Sequence, residues 1–227
     1  MQKRDALDAL LIEIANGPVT YLTVRNVPTQ NSHMDERFGL FMIIALGEAV
    51  VAVAAGVAET PWGWQSVLTG IGGFLIAVSL WWMYFERANE STINQALRGG
   101  RAALLRSFFY GYSHVLAFMG IAATSVGIQI AIEATADHVF TAEAQTILCG
   151  GIAFFLIGVT TLQWASPQSL PQRTIAIRLS LALCLLCFIF LGTRLPAVAV
   201  VLTLGAVLIS LNWIDETADV NIRPVAK

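Results

Sequence analysis

Of the 227 residues, 56% are hydrophobic and 12% charged, roughly half the charged share of an ordinary soluble domain and too little to coat the surface of one. A formal net charge of −2 leaves no basic footprint for nucleic acid, and none is expected as a partner. Lipid suits this composition, and because the apolar runs are continuous rather than alternating, the fold class is all-α: a polytopic transmembrane helical bundle of about six spans plus an N-terminal partial helix.

The chain opens with MQKRDALDALLIEIANGP, in which Asp5, Asp8 and Glu13 interrupt the uncharged run that a cleaved signal peptide needs. Residues 5–24 read as a half-buried or displaced helix that breaks at Asn16, Gly17 and Pro18. Glu13, just before the break, either borders a cavity or lies on a plain amphipathic face. The domain plan is a partial or interfacial helix and loop over 1–37, a transmembrane domain over 38–213, and a cytoplasmic tail over 214–227.

The first span runs over 38–58, with Glu48 near the middle of FGLFMIIALGEAVVAVAAGVA. An ionisable group there costs a few kcal/mol to insert and belongs against protein or water rather than lipid. Ala45, Ala52, Ala55 and Gly56 share its side of the helix, so Glu48 is expected to line the bundle interior. There it either binds a proton or small cation, or ties neighbouring helices together by hydrogen bonds. Arg37 shares the face, but eleven residues separate it from Glu48, about 16 Å along the axis and too far to pair.

The second span, 64–85, is bracketed by Trp62 and Trp64 at one end and Trp81, Trp82, Tyr84 and Phe85 at the other, as rings anchored at headgroup depth would be. Residues 86–107 follow as a short cytoplasmic loop. In the third span, 108–132, His114 of FFYGYSHVLAFMG is the one histidine inside an apolar run. It either joins a proton-relaying site with Glu48 or is a neutral imidazole bonded to a neighbouring helix; with no second histidine at its depth, a haem pair is disfavoured. Two stripes of small residues, Ser66–Gly70–Gly73–Ala77 and Gly120–Thr124–Gly127, are explained by helix packing. The fourth span covers 142–164. The fifth, 175–193, opens with Arg178, which either snorkels to the interface, the preferred reading, or pairs with a carboxylate, and it holds Cys184 and Cys187 as packing residues rather than metal ligands. Only Arg194, Leu195 and Pro196 separate it from the sixth, 195–213, which suggests a tight helical hairpin.

Six spans put Arg25, Arg37, Arg87, Arg98, Arg101, Arg106, Arg173, Arg178, Arg223 and Lys227 on one side, against Arg194 alone among the basic residues of the opposite connectors. The basic side, and with it the C-terminus, is expected to be cytoplasmic. No phosphate-binding loop, H-E-x-x-H zinc motif or G-x-S-x-G nucleophile elbow occurs, which weighs against an ATP-driven pump or an intramembrane protease, and neither a metal nor a cofactor is expected.

The segment HMDERFGLFMIIALGEAVVAVAAG, with LLIEIANGP, WWMYFE and FFYGYSHVLAFMGIAATSVGIQIAIE, resembles the low temperature requirement A family of bacterial membrane proteins. The resemblance carries Glu36, Arg37, Gly47 and Glu48 onto the family's E-R-F-G-L-F…I-A-L-G-E pattern and His114 onto the histidine of its Y-x-H segment. Glu86 stands where the family has aspartate. Members usually begin with further spans bearing an acidic E-L-F-F-D-L-like motif, so the resemblance is to their C-terminal portion and implies a bacterial inner-membrane location. Two functions stay open. One is a transporter-like or channel-like protein with a proton or cation site at Glu48 and with His114, Arg37 and Glu13 as further candidates. The other is a non-transporting assembly or low-temperature adaptation protein whose buried polar groups organise helices. Partners on either reading are the bilayer, a second copy of the chain, or a chain supplying the N-terminal half; an enzyme is disfavoured.

Overall fold

A hydrocarbon layer of about 30 Å requires some 20 apolar residues of helix, and six helices here meet that demand. The computed structural model describes residues 34–86, 100–137, 140–165, 171–191 and 195–220. They form α1 (Met34–Glu59), α2 (Trp64–Phe85), α3 (Gly100–Asp137), α4 (Ala142–Ala165), α5 (Gln172–Leu191) and α6 (Ala197–Val220), with no strand among the described residues. The chain is a multi-pass membrane protein. The expected helix over 5–24, and Glu13 with it, lies outside the described residues.

All six expected spans are present, but several helices outrun them. α3 starts at Gly100, so the stretch read as a loop is partly helical; Ala102, Ala103, Leu104 and Leu105 are strong helix formers that follow two glycines. α6 continues to Val220, through residues assigned to the tail. Its buried positions Val201, Leu204, Leu208, Leu211 and Asp215 recur at three and four residues, so one helical face extends beyond the continuous apolar run.

Because association between helices in lipid rests on close contact rather than on the hydrophobic effect, small residues set the layout. α3 and α4 meet backbone to backbone: a Cβ at Gly120 would fall 2.5 Å from the Phe155 amide nitrogen, and one at Gly151 2.6 Å from that of Thr124. On α2, Gly73 faces Ile128 of α3 and Val53 of α1, while Gly72 faces Val201 and Leu202 of α6. α2 thus packs mainly against α1, α3 and α6, and α4 is the most deeply covered span. α5 packs mainly on α4 and touches α6 little, contrary to the expected tight hairpin. The reason is that α6 turns Gly205 to α2 and α5 turns its face to α4, so successive helices settle on different partners.

The six tryptophans are all exposed. Trp62 and Trp64 lie at one end of the bundle; Trp81, Trp82, Trp164 and Trp213 lie at the other, where α2, α4 and α6 finish. From Trp64 to Trp82 is 18 residues, about 27 Å of helix, close to the hydrocarbon thickness.

Candidate functional site

Polar side chains gather at the four-tryptophan end in two adjoining clusters. The first centres on His114 of α3, which is fully buried. Its Nδ1 lies 2.8 Å from the Tyr110 carbonyl oxygen, which can only accept, so Nδ1 holds the ring proton. Nε2 is hydrogen-bonded to the hydroxyl of Tyr84 on α2 at 3.0 Å. Phe38 of α1 stacks on the imidazole with centroids 4.1 Å apart and planes 14° from parallel, and Tyr110 closes a further side at 4.6 Å. His114 is therefore bonded both to its own helix and to a neighbouring one.

The second cluster joins four helices. Arg178 of α5, 1% exposed, donates from Nε and Nη2 to Oδ2 of Asp215 on α6, at 2.8 and 2.5 Å. Its Nη1 donates to Oε1 of Gln163 on α4 at 2.6 Å, and Gln163 Nε2 donates to the Met83 carbonyl of α2 at 2.9 Å. Since Met83 and Tyr84 are consecutive, the last turn of α2 couples the two clusters, one through its backbone and one through a side chain. Closer to the bilayer centre, Asn212 Nδ2 donates to the Ser79 carbonyl at 3.0 Å, a second polar tie between α6 and α2.

Arg178 thus pairs with a carboxylate, the alternative to the preferred snorkelling. It sits about 9 Å along α5 from Gln172, where a carboxylate and an amide oxygen replace its hydration. Sequence reasoning missed Asp215 and Gln163. The signal for Asp215 was its register, four residues after Leu211 on the buried face; Gln163, one polar residue among threonines, offered none.

Glu48 is not in the interior of the six helices either. The face of α1 that packs inward is Met42, Leu46, Ala49, Ala52 and Gly56, and Glu48 stands about 90° round the helix from the Ala49–Gly56 line, on an exposed flank. Beside it a Cβ on Gly47 would meet nothing within 4 Å. Glu48 makes no hydrogen bond or ion pair among the described residues. It is ten residues from Phe38, about 15 Å along the axis, so the structure does not bring it together with His114. Arg37 is exposed near the start of α1. Among the described residues no group of three or more His, Cys, Asp or Glu side chains is placed to hold a metal ion.

Comparison with known proteins adds the following. The family described as bacterial low temperature requirement A protein matches residues 7–212. An uncharacterized protein of Rhizobium meliloti (strain 1021) is 28% identical over 145 residues, which make up 61% of this chain and 34% of that protein. The match thus spans about a third of the relative's length. No solved structure matches the chain.

Proposed function

Because the chain belongs to the low temperature requirement A family, we propose that it works as a transporter-like or channel-like protein of a bacterial inner membrane, with Glu48 binding and releasing a proton or small cation. The observation that carries this reading is the placement of Glu48: a carboxyl group near the middle of a 26-residue apolar helix, on a flank left open by the described helices. On a bare lipid face its insertion would cost on the order of 3 kcal/mol, a penalty that a site for a cation or proton offsets. Leu40, Ile43, Ile44 and Val51 share the exposed side of α1, so a pathway through Glu48 runs between α1 and whatever covers it, either a second copy of the chain or a segment like those that extend longer relatives. The test is proton and potassium flux in proteoliposomes with a pH-sensitive dye, comparing wild type with a folded Glu48→Gln variant. Flux that the substitution abolishes is the expected result.

A second reading has its own support. The deeply buried Arg178, Asp215, Gln163 and His114 all bond to one another or to backbone, which suits a non-transporting protein whose polar groups hold helices in register. It predicts no flux from an intact wild-type chain, and a Glu48→Gln variant that keeps its cellular activity.

A further inference from the structure

A groove of about 180 Å³ opens on the perimeter between α2 and α6, at the four-tryptophan end. It is lined by the buried Ser79 and Asn212 and by the exposed Trp82, Trp213 and Glu216, the last one turn beyond Asn212. The two acidic residues of that turn have different fates. Asp215 points inward to Arg178 at 2.5 Å. Glu216 is exposed and makes no hydrogen bond or ion pair among the described residues, so its carboxylate is presented to the groove mouth. A carboxylate that lines a groove together with two indoles attracts a cation, through its charge and through the quadrupole of any ring face presented to it. At the depth where tryptophans mark the interface, the abundant cation of a bilayer is the ammonium of a zwitterionic headgroup.

We infer that this groove binds the headgroup of a phospholipid bearing a primary ammonium, with Glu216 accepting its hydrogen bonds and Trp82 and Trp213 enclosing it. The volume suits a headgroup rather than a whole lipid, leaving the acyl chains to lie along the apolar flanks of α2 and α6. A primary ammonium has three donors for the carboxylate, whereas an anionic headgroup is repelled by it. The inference does not depend on Glu48 or on transport.

The experiment places the full chain in vesicles of equimolar phosphatidylethanolamine and phosphatidylglycerol, extracts it gently, and counts retained lipids by native mass spectrometry. Wild type is expected to retain one phosphatidylethanolamine with a preference of about fivefold over phosphatidylglycerol, the size of one partly exposed charge contact with aromatic support. Glu216→Gln is expected to abolish the preference and Trp213→Leu to reduce it. Glu59→Gln, which alters an exposed carboxylate at the opposite end, should leave it intact. Equal retention of the two lipids by wild type, an unchanged preference in Glu216→Gln, or a lipid-free dimer that masks the groove would each overturn the proposal.

Discussion

Arg178 takes a full positive charge to a position 1% exposed, and it is tolerated there because Asp215 and Gln163 supply acceptors in place of water. The interaction is asymmetric in what its loss entails. Removing one partner strands the other as a buried charge, which typically costs about 3 kcal/mol or more, whereas replacing both by apolar residues of similar volume is often close to neutral. Asp215→Asn and Arg178→Met should therefore each lower the unfolding midpoint in detergent sharply, and Arg178→Met with Asp215→Leu should recover most of the loss. A double variant as unstable as the worse single one would mean that the pair is needed for the fold itself. The same pair shows why residue roles were only partly legible: an arginine near a span end either snorkels or pairs with a carboxylate, and here the partner lay in a stretch assigned to the tail. His114 was legible as a residue in need of a neighbour, but not which helix would provide it. For Glu48, Ala45, Ala52 and Ala55 pointed to the correct side of α1 only approximately. Ala52 is on the buried face while Ala45 and Ala55 are only half-buried, and a quarter turn separates an interior carboxylate from an exposed one.

At the scale of helices, existence was legible and contact was not. Twenty apolar residues in a row announce a span whatever packs against it, so all six emerged with their middles correct. Their ends depend on tertiary context: α6 runs past residue 213 because Asp215 is paired, and α3 begins at Gly100 because Ala102 through Leu105 favour helix. Glycine spacing marked half of the α3–α4 interface, Gly120 with Gly127, while Gly151, which faces Gly120, and Gly158, which faces Ala117, went unremarked among the leucines and phenylalanines of α4. Those contacts are to backbone, which cannot move aside. Gly120→Leu should destabilise the bundle by about 2 kcal/mol or prevent its assembly. Gly47→Ala, in open space on the same kind of helix, should be neutral or stabilising by up to about 1 kcal/mol. Thermal unfolding of both variants in one detergent tests the contrast; equal losses would show that the α3–α4 contact is looser than 2.5 Å implies.

For the whole molecule the governing feature is its polarity across the bilayer. Every even-numbered helix finishes at the end where the basic connectors lie, and both polar clusters are there as well. The charge asymmetry predicts that this end faces the cytoplasm. With Cys184 and Cys187 replaced by serine, a membrane-impermeant maleimide should label Glu59→Cys in intact cells and Gln172→Cys only in inverted vesicles; the reverse pattern would invert the topology. The two ends also differ in construction, one knitted by charged and amide groups across four helices and the other closed mainly by short connectors, so thermal opening should start from the second.

The placement of all six indoles at the two rims makes the midplane of this protein optically silent. Its intrinsic emission reports headgroup surroundings and nothing deeper, so a chromophore introduced at Val51, one turn from Glu48 on the same helix, would be distinguishable by its blue-shifted emission. Quenching that chromophore with lipids brominated at mid-chain would read directly whether the open flank of α1 meets acyl chains or another surface.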